Sequence, residues 1–265
     1  MWSFRSGTLD RLIFDSVVAH DEYRLPERFE PDDIVVDVGA HIGSFAYAVA
    51  LRGGQRVWSI EPDRTNHALA AEHLRPYVAQ GYVRLIHAAV WRSDPNDDEL
   101  RFDGYQALPS SYPGMEGVLN TGGGSVVWGL GEPVAKIAFD DVVDLATNHG
   151  EHRVRLLKLD CEGAEWPIVL TSQRLHLIDE IVGEFHELGG PLLEIGENRP
   201  SNALVVFRSD LVAGFTIEEL ARFLRDAGFG VSYSRHVRPG GALEGLGLFF
   251  AAREDGATRR HGLAG

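Results

Sequence analysis

The fold is decided at residues 34–44, which read IVVDVGAHIGS. The β-branched run Ile34–Val38 predicts a buried strand, and the apolar and small residues from Ile42 to Leu51 predict a buried helix. Because Gly39 and Gly43 have no Cβ, the backbone of the turn between them can approach a ligand closely. The spacing is G-x-x-x-G rather than the G-x-G-x-x-G that wraps a pyrophosphate. The turn therefore predicts a site for a nucleotide-like cofactor without a diphosphate.

Outward from this turn, short apolar runs alternate with segments of helical spacing, which is typical of parallel strands joined by helices. Helices are predicted at residues 63–77, 139–146 and 164–171 and from residue 216. Further strands are predicted at residues 56–60, 82–87, 154–160, 178–185, 230–237 and 245–252. We therefore expect an α/β, Rossmann-like fold with a seven-stranded, mostly parallel sheet, a C-terminal antiparallel hairpin and helices on both faces.

The chain is expected to form one domain. Residues 1–30 predict an N-terminal cap segment with a helix over residues 8–18, residues 31–253 predict the domain itself, and residues 254–265 predict a flexible tail. Residues 93–133 are rich in proline, glycine and aspartate and predict an irregular excursion from the domain. Two interpretations of this excursion stay open: a surface loop, or a lid that faces the substrate.

The composition excludes several classes of protein. The 265 residues include 25 Lys and Arg against 39 Asp and Glu, a net charge of −14, and a single cysteine, Cys161. Nucleic acids and anionic membranes bind through cationic side chains, so this balance argues against both as main partners. A lone cysteine forms no internal disulfide, and we expect a small core residue rather than a nucleophile. Without a secretory h-region or an apolar stretch near the ~20 residues of a bilayer span, we expect a cytoplasmic protein.

Acidic residues stand at the ends of the first two predicted strands. Asp37 suits an ammonium group, and Glu61, at the end of the second strand, suits the hydroxyls of a ribose. A ligand with an amine, a ribose diol and no phosphate fits S-adenosylmethionine. The residues expected to bind this cofactor are Asp37, Gly39, Ala40, His41, Gly43, Ser44, Phe45, Glu61, Pro62, Ala88 and Asp160.

A second group of polar residues follows the fourth and fifth strands of the predicted sheet. Asp160 ends the fourth strand, which lies beside the first in a sheet of this type, and Glu184 and His186 share one face of the fifth. We expect these three side chains to converge and to be catalytic. Two roles stay open: His186 acts as a general base oriented by a carboxylate, or all three bind a divalent cation such as Mg²⁺. A third interpretation is that Glu165 and Glu184 only satisfy helix ends or ion pairs.

Four segments together resemble the FkbM family of S-adenosylmethionine-dependent methyltransferases. They are DVGAHIG at residues 37–43, SIEP at 59–62, LKLDCEGAE at 157–165 and EFH at 184–186, and the resemblance covers roughly residues 30–190. Members usually carry Asn in place of His41 and Val in place of Cys161. The resemblance implies the Rossmann-like methyltransferase fold and O-methylation of a hydroxyl on a small secondary metabolite or sugar, often in natural-product biosynthesis.

The expected function is therefore methyl transfer from S-adenosylmethionine to a small-molecule acceptor, with no nucleic acid or membrane partner. The sequence identifies neither the acceptor nor the oligomeric state. N-methylation of a small molecule, an NAD-dependent oxidoreductase and a non-catalytic cofactor-binding module stay as alternatives. The missing G-x-G-x-x-G and the closing hairpin argue against the oxidoreductase, and the acidic and histidine residues after the fourth and fifth strands argue against the binding module.

Overall fold

The computed structural model describes residues 2–108, 115, 117–188, 207–238 and 241–253. In chain order the strands are β1 (Ile34–Val38), β2 (Arg56–Ile60), β3 (Val83–Ile86), β4 (Ala89–Trp91), β5 (Arg101–Phe102), β6 (Gln106–Ala107), β7 (Leu119–Asn120), β8 (Glu132–Pro133), β9 (Lys136–Ala138), β10 (Val154–Leu159), β11 (Glu180–His186), β12 (Phe229–Arg238) and β13 (Gly241–Arg253). Seven of them form a central sheet in the order β12-β13-β11-β10-β1-β2-β3. Strand β13 runs antiparallel to both of its neighbours, whereas the other pairs in the sheet are parallel. The predicted fold class is confirmed.

Seven α-helices lie between the strands of the described ranges. They are α1 (Asp10–Phe14), α2 (Ser44–Leu51), α3 (Arg64–His73), α4 (Arg75–Ala79), α5 (Phe139–Thr147), α6 (Glu165–Thr171) and α7 (Ile217–Asp226). A π-helical turn, Asp15–Ala19, continues α1. The predicted helix at residues 63–77 is divided at Leu74, since α4 contains Pro76 in its first turn. A proline has no N–H to donate and its ring clashes with the preceding turn, so one continuous helix is broken there.

Strand β1 shows why the deciding stretch is apolar without interruption. Ile34, Val36 and Val38 pack into one hydrophobic cluster, and Val35 packs into a second cluster with Phe45. Successive side chains of a strand point to opposite faces, so both faces of the sheet are buried at β1. The sheet is therefore covered by helices on both sides, and its polar residues are left at the strand ends.

The irregular excursion is attached to the N-terminal segment. Leu9 N donates to Leu119 O at 3.0 Å, and Leu119 N donates to Gly7 O at 2.9 Å. This region contains three two-stranded sheets, which pair β4 with β9, β5 with β8 and β6 with β7. The predicted tail at residues 254–265 lies outside the described residues. Within the described ranges, no helix is long and apolar enough to cross a membrane.

Candidate active site

The glycine turn after β1 lies directly against the end of β10. Gly39 has a φ of +81°, and a Cβ on it would lie 1.8 Å from the backbone oxygen of Asp160. Gly43, with a φ of +93°, precedes α2, and His41 has a φ of +51°, a left-handed value that is uncommon for a residue with a side chain. Only glycine fits at position 39. The expected cofactor turn and the expected catalytic aspartate are therefore in backbone contact.

A buried lysine links the carboxylates at the ends of β1 and β10. Lys158 Nζ lies 3.4 Å from Asp37 Oδ1 and 3.5 Å from Asp160 Oδ2, and it donates to Gly39 O at 2.5 Å. Ser59 Oγ donates to the other oxygen of Asp37 at 2.7 Å. Burial raises the pKa of Asp37, whereas the two carboxylates outweigh the effect of burial on Lys158 and raise its pKa. Sequence reasoning missed Lys158, although a cation two residues before the strand-end Asp160 was the available signal.

The carboxylate of Glu61 is held by backbone N–H groups at the end of β2. It is 4% exposed, and it accepts hydrogen bonds from His41 N at 2.7 Å and from Asp63 N at 2.9 Å. Burial raises the pKa of Glu61 to about 8, against the effect of these two bonds. The predicted ribose-binding acid therefore lies beside the glycine turn, with its orientation fixed by the backbone.

The side chain of His41 reaches the excursion. Its Nε2 lies 2.9 Å from Thr121 Oγ1, which itself donates to Asp10 Oδ1 at 2.8 Å. Because the hydroxyl proton of Thr121 is used on Asp10, His41 Nε2 carries the proton that it donates to Thr121. Burial lowers the pKa of His41 to about 4, so the ring is neutral at pH 7 and Nδ1 is a bare acceptor.

Hydrogen-bonding capacity remains unused in the turn. Among the described residues, four buried side-chain nitrogen or oxygen atoms have no hydrogen-bond partner, and three of them belong to the turn: Asp37 Oδ1, His41 Nδ1 and Ser44 Oγ. Each unpaired buried polar atom costs about 1–3 kcal/mol. The turn thus offers the acceptor His41 Nδ1 and the Ser44 hydroxyl, next to the Asp37 carboxylate that Lys158 Nζ approaches at 3.4 Å, and these groups fit the polar methionine end of S-adenosylmethionine.

The other residues expected at the cofactor lie at the same edge of the sheet. Ala40 N donates to Ile60 O at 3.0 Å, and Ala40, Ser44, Phe45 and Ala88 are buried. Pro62 follows Glu61 and is partly buried. Most of these side chains are small or apolar, so the groups that could hydrogen-bond to the expected cofactor belong to the turn and to Glu61.

Asp160 is held from two sides. Its Oδ2 accepts a hydrogen bond from Tyr23 OH at 2.9 Å and lies 3.5 Å from Lys158 Nζ. Burial would raise the pKa of Asp160, but Lys158, His186 and the Tyr23 hydroxyl outweigh it, and the pKa is lowered. Asp160 is therefore a fixed, ionised carboxylate at the sheet edge.

Glu165 shapes the turn that follows Asp160. It is fully buried, and its two oxygens accept hydrogen bonds from Cys161 N and Gly163 N, both at 2.8 Å. Its Oε1 also lies 3.2 Å from His186 Nδ1, which fixes the imidazole ring. Burial and Glu165 raise the pKa of the Cys161 thiol well above its usual range, so the thiol stays protonated and unreactive.

His186 is enclosed by carboxylates. Glu162, in the left-handed region with a φ of +53°, brings its Oε2 to 3.3 Å from His186 Nε2, while Glu165 occupies Nδ1. Burial would lower the pKa of His186, but the two glutamates raise it well above the usual value. Burial raises the pKa of Glu162 to about 6. The two carboxylates therefore favour the protonated form of the ring.

The cluster that forms differs by one residue from the expected set. Asp160, Glu162 and His186 offer ligand atoms that all lie within 4.8 Å of one another. Glu184 instead pairs with His236 Nε2 at 2.7 Å. The left-handed backbone at Glu162, followed by Gly163 with a φ of +96°, turns the Glu162 carboxylate toward His186. The prediction for Glu184 used only the alternation of side chains along a strand, which carries no information about this turn. The Glu162-Gly163 pair was a sequence signal for the turn.

Two residues of the N-terminal segment also face Asp160. Tyr23 is 3% exposed, and the pKa of Glu22 is raised to about 7, by burial first and then by Asp160 and Glu184. Sequence reasoning missed both, because no local pattern at residues 22–23 connects them with a strand end far along the chain.

The chain is similar to a known protein family and to several solved structures. The family model for the methyltransferase FkbM domain matches residues 37–231. Similar solved structures include an FkbM methyltransferase from Methylobacillus flagellatus KT, with 16% identity, 89% of this chain and 47% of that chain covered and a TM-score of 0.47. A putative rRNA methylase from Clostridium thermocellum has 13% identity, coverages of 88% and 92% and a TM-score of 0.45. The precorrin-6y C5,15-methyltransferase from Geobacter metallireducens GS-15 has 12% identity, coverages of 95% and 92% and a TM-score of 0.39.

The chain spans about half the length of the first of these structures. No curated protein matches it. The family match covers more than half of the 265 residues and includes the glycine turn, Glu61, Asp160 and His186. The chain belongs to the FkbM methyltransferase family.

Proposed function

We propose that the protein uses S-adenosylmethionine to methylate a hydroxyl group of a small secondary metabolite or sugar. The observation that carries the proposal is the backbone contact between Gly39 and Asp160, where a Cβ would lie 1.8 Å from the Asp160 oxygen. This contact sets a turn with unused hydrogen-bonding capacity next to a cluster of acid and imidazole groups. A cofactor half and an acceptor half are thus adjacent at one sheet edge.

The cofactor half has groups for two polar parts of S-adenosylmethionine. Glu61 would accept from the ribose hydroxyls, while His41 Nδ1 is an unpaired acceptor for the ammonium group and Asp37 Oδ1, 3.4 Å from Lys158 Nζ, adds negative charge to this half. When bound, the cofactor supplies a methyl group on a sulfonium, which is open to in-line displacement. Burial of these side chains excludes water from this half of the site.

The acceptor half provides the proton acceptor. A neutral hydroxyl is a weak nucleophile, so a general base speeds its attack. His186 lies between two carboxylates that favour its protonated form, which makes it a poor proton acceptor. We therefore assign proton acceptance to the Glu162 carboxylate, because its pKa of about 6 is close to the working pH. Asp160 and His186 then orient the hydroxyl and balance the charge.

The same cluster is our proposal for a divalent cation. Asp160, Glu162 and His186 would hold it, with Glu184 engaged elsewhere, and Glu165 would fix the ring through Nδ1 so that Nε2 is the ligand. The imidazole ligand suits Zn²⁺, whereas the two carboxylates suit Mg²⁺ or Mn²⁺. The cation would have to displace the imidazolium proton, so we expect its affinity to fall as the pH is lowered. Activity measured after chelation and after return of each metal tests this proposal.

The excursion touches both halves, which supports the interpretation as a substrate-facing lid. Thr121 contacts His41 at 2.9 Å, and Ser125 Oγ donates to Glu162 O at 2.6 Å. A segment that contacts both halves is positioned to close over an acceptor and keep water out.

The test combines binding and turnover. Calorimetry should show binding of S-adenosylhomocysteine but not of NAD, with Glu61→Gln weakened at least tenfold and the exposed control Glu72→Gln unchanged. A panel of hydroxylated and aminated small molecules is then incubated with methyl-labelled S-adenosylmethionine, and NMR of the products locates the label. Label on nitrogen would favour N-methylation, NAD binding would favour an oxidoreductase, and binding without transfer would favour a cofactor-binding module.

A further inference from the structure

A strained turn brings the N-terminal segment to the site. Asp21 and Arg24 both have a φ of 51°, and they flank Glu22 and Tyr23. Left-handed backbone costs roughly 1–2 kcal/mol at a residue with a side chain, so it persists only where the surroundings hold it. Here Arg24 N donates to Asp21 O at 2.8 Å, and Leu25 N donates to Asp21 Oδ1 at 3.1 Å. The chain closes tightly around the two central residues.

This turn is fixed to two separate parts of the domain. Arg52, at the end of α2, donates from Nη2 to Asp21 Oδ1 at 2.9 Å. The Arg24 guanidinium lies 4.3 Å from the centroid of the Phe250 ring on β13. One contact joins the turn to the helix that follows the glycine turn, and the other joins it to the reversed strand. The position of Tyr23 is therefore set by the framework of the domain.

Tyr23 fills the space between the cofactor half and the acceptor half. Its ring packs edge-on against Phe45 with 5.5 Å between centroids, and Lys158 Nζ lies 5.8 Å from the ring centroid. Its hydroxyl donates to Asp160 Oδ2 at 2.9 Å. Asp160 Oδ2 is thus held between the Tyr23 hydroxyl and Lys158 Nζ, beside Glu162 and His186.

We propose that Tyr23 is a positioning residue for the acceptor, which fixes the rotation of the Asp160 carboxylate through its hydroxyl. The proposal rests on the function proposed above. Tyr23 lies before residue 37, where the family match begins, so the centre is completed by a residue outside the matched domain. The ring of Tyr23 can pack in the core without its hydroxyl. A variant that keeps the ring and loses the hydroxyl therefore tests the positioning role apart from a structural role.

The test is Tyr23→Phe, with Tyr77→Phe as the matched control. Tyr77 is half-buried, packs against Tyr47 with 6.1 Å between ring centroids, and lies away from Asp160. A hydrogen bond to a charged group corresponds to a factor of roughly 10–100, so we expect kcat of Tyr23→Phe to fall at least tenfold. KM for S-adenosylmethionine and the Kd of S-adenosylhomocysteine should stay close to those of the parent, and Tm should fall only by the few degrees that loss of one such hydrogen bond costs. The control should match the parent in every measurement.

A crystal structure of Tyr23→Phe with S-adenosylhomocysteine gives a readout that needs no turnover. We expect the Asp160 carboxylate to rotate or to occupy two conformers while the phenyl ring stays in place. An unmoved carboxylate or an unchanged kcat would overturn the positioning role, and so would a joint loss of cofactor affinity and Tm. A hydroxyl acceptor that receives no label would count against the proposed function alone, since the carboxylate rotation is measured independently.

Discussion

The two halves of the site differ in what holds their carboxylates. In the cofactor half, Glu61 accepts both of its short hydrogen bonds from backbone N–H groups, those of His41 and Asp63. In the acceptor half, Asp160 is held by the side chains of Tyr23 and Lys158. Tyr23 lies 137 positions from Asp160 in the chain, whereas Asp63 lies two positions from Glu61.

This difference determines which half can be read from the sequence. A carboxylate held by nearby backbone depends on a strand, a turn and a residue position, and all three leave a local pattern. A carboxylate held by distant side chains depends on which segments the fold brings together. The cofactor half therefore depends mainly on local structure, whereas the acceptor half depends on tertiary contacts. Mutations should separate the two, except at Gly39, which joins them.

The largest effect is expected for Gly39→Ala. The added Cβ would lie 1.8 Å from the Asp160 backbone oxygen, so β1 and β10 would have to move apart. With the cost of a φ of +81°, we expect a loss of roughly 3 kcal/mol or more in unfolding free energy, and no binding of S-adenosylhomocysteine. Urea denaturation and calorimetry measure the two quantities.

Gly81→Ala is the matched control for this substitution. Gly81 has a similar φ of +75°, but nothing lies within 4 Å of a Cβ placed there. It should lose only about 1–2 kcal/mol, the cost of the left-handed backbone, and keep full cofactor binding. Equal losses in the two variants would mean that backbone strain alone explains Gly39, and the contact between the halves would lose its importance.

The next effect separates two glutamates of the acceptor half. Glu162→Gln removes the proposed proton acceptor and should lower kcat by about 100-fold, within the usual range for loss of a general base. Glu184→Gln only weakens the pair with His236, so its kcat should fall less than about tenfold. Steady-state kinetics with saturating S-adenosylmethionine gives both values. If Glu184→Gln is the more damaged variant, the strand-face prediction describes the site better than the cluster does.

The sequence was sufficient for the framework of the fold and for the surroundings of Glu61. The apolar run of β1 and the glycine turn predict their own structure, and Glu61 lies beside this turn, as its place after β2 predicts. The error at residues 63–77 has a local cause, because Pro76 interrupts a pattern that otherwise continues.

The acceptor half was only partly accessible to the same reasoning. The positions of Asp160 and His186 follow from the period of their strands. The exchange of Glu184 for Glu162 depends on the left-handed backbone at Glu162, and the hydrogen bond from Tyr23 depends on how the N-terminal segment packs. The hydrogen bond from Tyr23 is not encoded within a window of neighbouring residues, whereas the turn at Glu162 has a local signal, the Glu162-Gly163 pair, that strand periodicity does not include. His41 is intermediate, because its place in the turn is local, while its contact with Thr121 crosses to the excursion.

The smallest effect is a pH dependence at Glu61. Its pKa is about 8 in the folded protein, above the usual 4.5 of a glutamate, because burial disfavours the charged form. The folded state therefore holds a proton that the unfolded chain releases, and this contribution to stability is lost as the pH rises from about 4.5 to 8. Glu61→Gln has no such titration. Its Tm relative to the parent should therefore rise by several degrees between pH 5 and pH 8.5.

Glu72→Gln, at an exposed position, is the control for the substitution itself. Saturation with S-adenosylhomocysteine should reduce the pH dependence of the parent, because ribose hydroxyls that donate to Glu61 stabilise its charged form. A pH-independent difference for Glu61→Gln would mean that its carboxylate is well solvated in the folded protein. The cofactor half would then be open to water, contrary to what its burial indicates. The two halves would then differ only in their hydrogen bonding.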